Sequence, residues 1–362
     1  MKILIPTMPN DIHAIFVHLA LRELGHEGVL WYTADFPCQQ QHTFEFDKTY
    51  IQWMAKGFDL DIRNDSFEVV WLRRPKEPIL SDQLHEDDKD NVFVENMAFY
   101  QTLWHMVAPE AFWINKRANA RKANCKALQL KTAQNTGMSL PNTIISNNPE
   151  RIKEFIEQNA KQGVVYKSLF PMAWTDGAAP RLAYAMPVEL TDLPSDDILQ
   201  STVGIFQEKI EKAFELRVTY MGDQGIAVKI DSQQHPQGRF DWRAIPITEL
   251  ALERYILPPS IDRGCRLIMK ELGIVFGCFD FIVTPEGDFQ FLEVNEQGQF
   301  LWIEELNPEI KLLDAFANFL MSRSPSFQWN ERAAKLSSAY FREEAVALND
   351  KMRERHLDDK RG

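Results

Sequence analysis

Residues 276–295 read FGCFDFIVTPEGDFQFLEVN, and the chain continues as EQGQF to Phe300. Two strand-like runs, Phe276–Val283 and Phe289–Asn295, flank Thr284-Pro-Glu-Gly-Asp288, whose Pro and Gly mark a turn. The pattern predicts an antiparallel hairpin. Centring its turn on Glu286-Gly287 pairs Phe281 with Leu292 and sets Asp280 opposite Glu293. Asn295 then shares the face of Glu293, because side chains alternate along a strand. Directly opposed β-carbons lie roughly 5 Å apart, so two carboxylates there repel each other unless a cation neutralises them. Carboxylate and carboxamide oxygens are hard donors, suited to Mg2+ that also holds phosphates rather than to Zn2+. The competing reading is a solvated sheet face. Against it, Cys278, Ile282 and Phe291 share the acidic face while Phe279, Phe281, Leu292 and Val294 fill the other, so apolar residues occupy both.

Composition narrows the possibilities. With 362 residues, 45% hydrophobic and 25% charged, the chain can build two or three domains with cores. A net charge of −12 argues against general nucleic-acid binding, which needs clustered Lys and Arg, and leaves a small molecule or peptide as ligand. Cys38, Cys125, Cys265 and Cys278 are far apart and form no CxxC pair, so they read as reduced thiols rather than disulfides or zinc ligands. The N-terminus MKILIPTMPND breaks its apolar run early, and no run approaches the roughly 18 apolar residues of a membrane span. The expectation is a soluble cytoplasmic protein with no membrane partner.

Helix and strand signals alternate along the chain. Lys2–Pro6, Asp11–Glu23 and Val29–Thr33 read as strand, helix and strand, with Gly25 ending the helix. Phe67–Leu72 is a further strand that runs into Arg73-Arg74-Pro75. A helix is expected from Asn119 to Asn135, a strand at Thr143–Ser146, a helix at Pro149–Asn159 and a strand at Gly163–Ser168 carrying Lys167. Phe170–Arg181 reads as a loop. Strands follow at Thr202–Gln207, Glu215–Met221 and Gly225–Ile230, then a helix at Ile261–Leu272. Beyond Pro325 the composition turns charged, and Phe341, Ala345, Leu348 and Met352 form one helical stripe that could pack on the core, on a partner or on nothing.

Asp280, followed thirteen residues later by Glu293-x-Asn295 and preceded by Gln207-Glu208-Lys209-Ile210 and Glu215-Leu-Arg217, resembles the ATP-grasp carboxylate–amine ligases over roughly residues 112 to 320. Trp71-Leu-Arg-Arg-Pro75, Phe240-Asp-Trp-Arg243 and Glu293-Val-Asn-Glu-Gln-Gly-Gln-Phe-Leu-Trp302 are similar to motifs of one branch, the macrocyclases that mature graspetides such as microviridins. The resemblance implies an α/β ATP-grasp fold: an N-terminal pre-ATP-grasp domain (1–115), a central lid domain (116–206), a C-terminal antiparallel-sheet core (207–325) and a charged helical tail (326–362). It implies that Asp280, Glu293 and Asn295 hold two Mg2+ ions. Lys126 and Lys167 would touch ATP phosphates, Gln207–Ile210 would read the adenine, and Glu215 would bind the ribose.

Arg217 resembles the arginine that steadies an acyl phosphate, and Arg243 beside Trp242 could help to seat the acceptor carboxylate. Arg73 and Arg74 are further substrate candidates, or a basic strand end. By residue pattern alone Lys126 competes with Lys122 and Lys131 on one helix, and Glu215 and Arg217 could form a same-face ion pair.

By resemblance, the reaction phosphorylates an Asp or Glu side chain of a ribosomal precursor peptide, leader plus core, and a Ser or Thr hydroxyl or Lys amine then attacks to give an ester or amide crosslink. A homodimer is also implied. Two alternatives remain: an ATP-grasp ligase adding an amino acid to a protein tail or small acid, and an inactive nucleotide-binding regulator. The loop after Lys167 departs from the family in having only Gly177.

Overall fold

The apolar run at the N-terminus and the helical stripe behind it build a parallel βαβ unit. Lys2–Thr7 is a strand, Ile12–Glu23 a helix, and Glu27–Tyr32 a strand parallel to the first. Asp11 starts the helix as its N-cap, its carboxylate accepting the Ala14 N–H, and Gly25 follows its end at φ +76°. The computed structural model describes residues 1–63, 66–170, 173–175, 180–182 and 185–358. Two compact units are present. One comprises Met1–Ala120, Met221–Gln224 and Gln299–Arg361, the other Arg121–Tyr220 and Gly225–Gly298.

In the first unit a parallel sheet has the order Glu27–Tyr32, Lys2–Thr7, Val69–Trp71, Phe112–Ile114. A three-stranded antiparallel sheet, Gln40–Phe46, Ile51–Gly57 and Leu60–Arg63, and the helix Glu86–Met106 complete its N-terminal part. Trp31, Trp53, Trp104 and Tyr100 pack there in one apolar cluster. Residues 299–325, grouped by sequence with the C-terminal core, lie in this unit as the helices Leu301–Leu306 and Leu312–Ser322.

The charged tail packs on its own unit. Its helix, Ser338–Arg355, buries Phe341, Ala345 and Met352 as the stripe predicts, with Asn349 buried where the stripe placed Leu348. Two buried carboxylates anchor the segment before it. Glu304 accepts from the Leu313 and Ser338 N–H groups and the Ser337 hydroxyl at 2.7–3.0 Å. Asp314 accepts from the Lys335 and Leu336 N–H groups and the Trp329 indole at 2.8–3.0 Å. No described helix is long and apolar enough to cross a membrane.

The second unit holds two sheets. The first, in the order Met186–Val188, Val164–Lys167, Gly204–Glu208, Thr143–Ser146, packs Val164 and Phe206 against Ile152, Phe155 and Ile156 of the helix Pro149–Gln158. Asn148 caps that helix through the Arg151 N–H. The second, in the order Leu252–Tyr255, Gln224–Ile230, Phe214–Met221, Phe276–Val283, Phe289–Asn295, leans on the helix Pro259–Leu272, which Gly273 ends in the left-handed conformation at φ +73°. Within the stretch read as a loop, Ala173–Thr175 and Pro180–Leu182 pair as short strands; Gly177 lies outside the described residues.

His13 ties the first helix to the start of Leu301–Leu306, its Nε2 accepting the Phe300 and Leu301 N–H groups at 3.3 and 3.1 Å. That role needs a neutral imidazole. Burial, joined by the Arg73 charge and opposed by Asp11, pushes its pKa down to about 3. An unfolded chain takes up this proton near pH 6.5, so the folded state loses stability as pH falls below that value. Between pH 6.5 and 5 the loss is about 2 kcal/mol. A His13→Gln variant, whose amide oxygen can accept the same bonds, should lack this part of the slope in urea midpoints measured across that range. Parallel slopes would show that His13 does not stay neutral.

Candidate active site

Both strands of the acidic hairpin begin and end as the sequence predicts, Phe276–Val283 and Phe289–Asn295, and Asp280 lies opposite Glu293. Nearer the turn the register differs by one residue. Phe281 faces Phe291, not Leu292, and the ladder shifts between Asp280 and Phe281. The turn explains this. Thr284 donates to the Asp288 carbonyl and Gly287, at φ +90°, to that of Thr284, which closes a loop of three residues rather than two. A bulge then restores the register at the carboxylates. Phe291 consequently lies with Phe279, Phe281 and Val294 in the core, a correction to its expected place on the acidic face.

Four cations act on the two carboxylates. Arg217, on the neighbouring strand, holds both oxygens of Asp280 through Nη1 at 2.9 and 2.7 Å. Lys126 donates to the Glu293 carboxylate. The helix expected over 119–135 is in fact two, Arg117–Ala123 and Lys126–Asn135, and the break makes Lys126 the first residue of the second. Burial raises the Glu293 pKa, but Lys126, with Arg243 and Lys167, overcomes this and holds it at about 2. Asp280 moves the other way, its burial and the Glu293 charge outweighing Arg217 and Arg243. Lys167 donates to Gln207 Oε1 at 2.6 Å, and burial lowers its pKa while the Glu293 charge opposes the fall. Arg243 forks onto Asp241 at 2.8 and 2.6 Å. Its pKa is raised: burial lowers it, but Asp241, then Asp280 and Glu293, more than compensate.

The remaining predicted residues fall around this centre or outside it. Glu215 pairs with Lys212 at 2.8 Å, so the same-strand pair with Arg217 does not form; burial raises the Glu215 pKa against the pull of Lys212. Gln207 also donates to Thr143 Oγ1 at 2.9 Å, and Glu208 accepts from Asn142. Lys209 lies over the Phe240 ring at 5.1 Å; Ile210 and Trp242 are half-buried. Asn295 is exposed, its amide oxygen accepting the Gln297 N–H. In the other unit Arg73 is 1% exposed and ion-paired with Asp11 at 3.0 Å, whereas Arg74 keeps 36% of its side chain exposed. Sequence reasoning missed Lys212 and Asp241, which lie among charged and aromatic neighbours without a periodic signal. It also missed Gln129, a polar residue on a helix with no distinguishing spacing.

The donor set fits Mg2+. Among the described residues no cluster of three His, Cys, Asp or Glu forms, so the two opposed carboxylates would be joined by the carboxamide oxygen of Asn295, all hard donors. Gly298 packs against Cys278 and the Arg217 guanidinium. A β-carbon there would lie 2.5 Å from Cys278 Cβ and 2.9 Å from Arg217 Nη2. Gly298→Ala should therefore lower the unfolding free energy by about 1–3 kcal/mol through overpacking. An unchanged urea midpoint would mean that Cys278 and Arg217 can move aside freely.

No protein-family model and no curated protein matches the chain. Solved structures do. It is similar to the macrocyclase MdnC bound with precursor peptide MdnA from Microcystis aeruginosa MRC, at 28% identity and TM-score 0.78, over 90% of this chain and 100% of that one. It is similar to a RiPP-associated ATP-grasp ligase of Chryseobacterium gregarium in complex with ADP and a leader and core peptide, at 25% identity and TM-score 0.80, over 92% and 99%. The macrocyclase MdnB of Microcystis aeruginosa MRC matches at 27% identity and TM-score 0.73, over 88% and 99%. The chain has the ATP-grasp fold, and over about nine-tenths of its length it is similar to the ligases and macrocyclases of RiPP peptides.

Proposed function

We propose that this chain is an ATP- and Mg2+-dependent ligase that crosslinks side chains of a ribosomally made precursor peptide, joining Asp or Glu carboxylates to Ser or Thr hydroxyls or Lys amines. The observation that carries the reading is the opposed pair Asp280 and Glu293 within reach of four cations. Bound ATP with Mg2+ supplies the phosphoryl group that makes a poor electrophile, a carboxylate, into an acyl phosphate, and ADP leaves. Asp280, Glu293 and Asn295 would hold the metal. Lys126 and Lys167 are compact point charges placed beside those carboxylates, as phosphate partners need to be.

Gln207 and Glu208 end the strand Gly204–Glu208, which pairs with the Lys167 strand, and with Lys209 and Ile210 they would line an adenine edge; Glu215 would bind the ribose. Arg217 and Arg243 supply planar donors for the peptide carboxylate and its phosphorylated form. Such groups work by position and charge, with no side-chain nucleophile required. A peptide substrate is supported by the similar structures' complexes with precursor peptide MdnA and with a leader and core peptide.

The deciding test is intact-mass spectrometry of a candidate precursor peptide incubated with protein, ATP and Mg2+. Loss of one water per bond with matching ADP release is the expected result. A gain of one amino-acid residue would instead favour addition of a free amino acid, and an unchanged mass with bound ATP a regulator. In the same assay Glu293→Gln and Lys167→Met should each reduce ADP formation about a hundredfold or more. Turnover within a few fold of the parent chain would remove those residues from the site.

A further inference from the structure

Among the described residues Phe289–Asn295 is an edge strand, with Phe276–Val283 on one side and only an isolated bridge from Gln290 to Ser139 on the other. Its outward backbone groups still need partners. The Phe291 N–H finds the Ser139 carbonyl at 2.9 Å. Regular alternation would make residue 293 the next to face outward, but the bulge moves that position to Val294. There the partner is a side chain. Gln129 Oε1 accepts the Val294 N–H at 3.0 Å, and Gln129 Nε2 donates to the Val294 carbonyl at 2.9 Å. The same Nε2 donates to the Ala123 carbonyl at 2.5 Å. Gln129 is 1% exposed, so these bonds are sheltered from water. Its carboxamide thus replaces a missing strand at one residue.

That residue sits between Glu293 and Asn295. On the Gln129 helix, one turn back, Lys126 bonds Glu293, and Asn124 in the preceding break donates to Glu296 at 2.8 Å. The turn from Ala123 to Gln129 therefore grips residues 293 to 296 at three successive points. We infer that Gln129 is a positioning residue, which fixes the backbone of Val294 so that Glu293 and Asn295 present their oxygens to one cation at a set distance from Lys126. The inference rests on the assignment of Glu293 and Asn295 as metal ligands. Gln129 touches neither the metal nor a substrate. Outer groups of this kind hold ligands in orientation, and losing one weakens metal binding by about 10- to 100-fold.

The test is a Mn2+ titration of the full chain with ADP present, followed by the electron paramagnetic resonance signal of free Mn2+. Glu293→Gln first checks the metal assignment: it should abolish binding, and wild-type affinity there would overturn the ligand assignment itself. With that established, Gln129→Met keeps length and volume while removing all three bonds, and Gln129→Asn keeps the amide but withdraws it by one methylene. Each folded variant should bind Mn2+ about tenfold more weakly than the parent. A lower thermal midpoint with unchanged Mn2+ affinity would reduce Gln129 to an ordinary core residue and overturn the proposal. Hydrogen exchange in the unsubstituted chain needs no variant: Val294 should be among the slowest amides of its strand, and rapid exchange there would overturn it equally.

Discussion

Two carboxylates directly opposite each other on adjacent strands set the terms for everything around them. At roughly 5 Å and an effective dielectric of about 20, Asp280 and Glu293 repel by about 3 kcal/mol, and burial adds to the cost of keeping both ionised. The chain answers with cations from four separate segments: Lys126 from a helix start, Lys167 and Arg217 from strands, and Arg243 from a short turn. Lys126 holds Glu293 and Arg217 holds Asp280 directly, while Arg243 is held by Asp241 and Lys167 by Gln207. A site assembled in this way has fixed charges aimed at one place before any ligand arrives. That is the arrangement from which stabilisation of a transferring phosphoryl group is obtained.

The opposite face of the same hairpin makes that arrangement affordable in free energy. Phe279, Phe281, Phe291, Val283 and Val294 are all buried in one cluster with the helix Pro259–Leu272. At about 1.5–3 kcal/mol for each such side chain, the face contributes of the order of 10 kcal/mol. This exceeds the few kcal/mol by which the acidic face resists folding. Because the strands cannot slide without exposing these rings, the register that opposes Asp280 to Glu293 is fixed by the aromatic face and not by the carboxylates.

The hairpin was legible in the sequence because its periodicity and its turn residues agree, and Lys167 stood out as a charge in an apolar run. What escaped was set by single backbone conformations. The bulge that moves Phe291 into the core depends on a three-residue turn closed by Gly287, and TPEGD permits either turn length. Lys126 could not be told from Lys122 or Lys131 by pattern; only the family resemblance singled it out, and the helix break at Asn124-Cys125 that carries it to Glu293 was not read. The helix Glu86–Met106 went unread for a different reason: it buries only Tyr100, Leu103 and Trp104 and so has almost no apolar stripe.

Buried polar side chains in the first unit follow a rule that also bears on the second. Glu304, Asp314 and His13 each accept from two or more backbone or side-chain donors, and each joins segments far apart in the chain. None could be recognised from its neighbours in sequence, since what each satisfies is an orphan N–H created by the fold. Gln129 is the same device turned on the candidate site, where the orphan groups belong to Val294, the residue between Glu293 and Asn295. Structural polar groups and functional ones thus differ less in their own bonding than in what the backbone they hold presents to the solvent beyond.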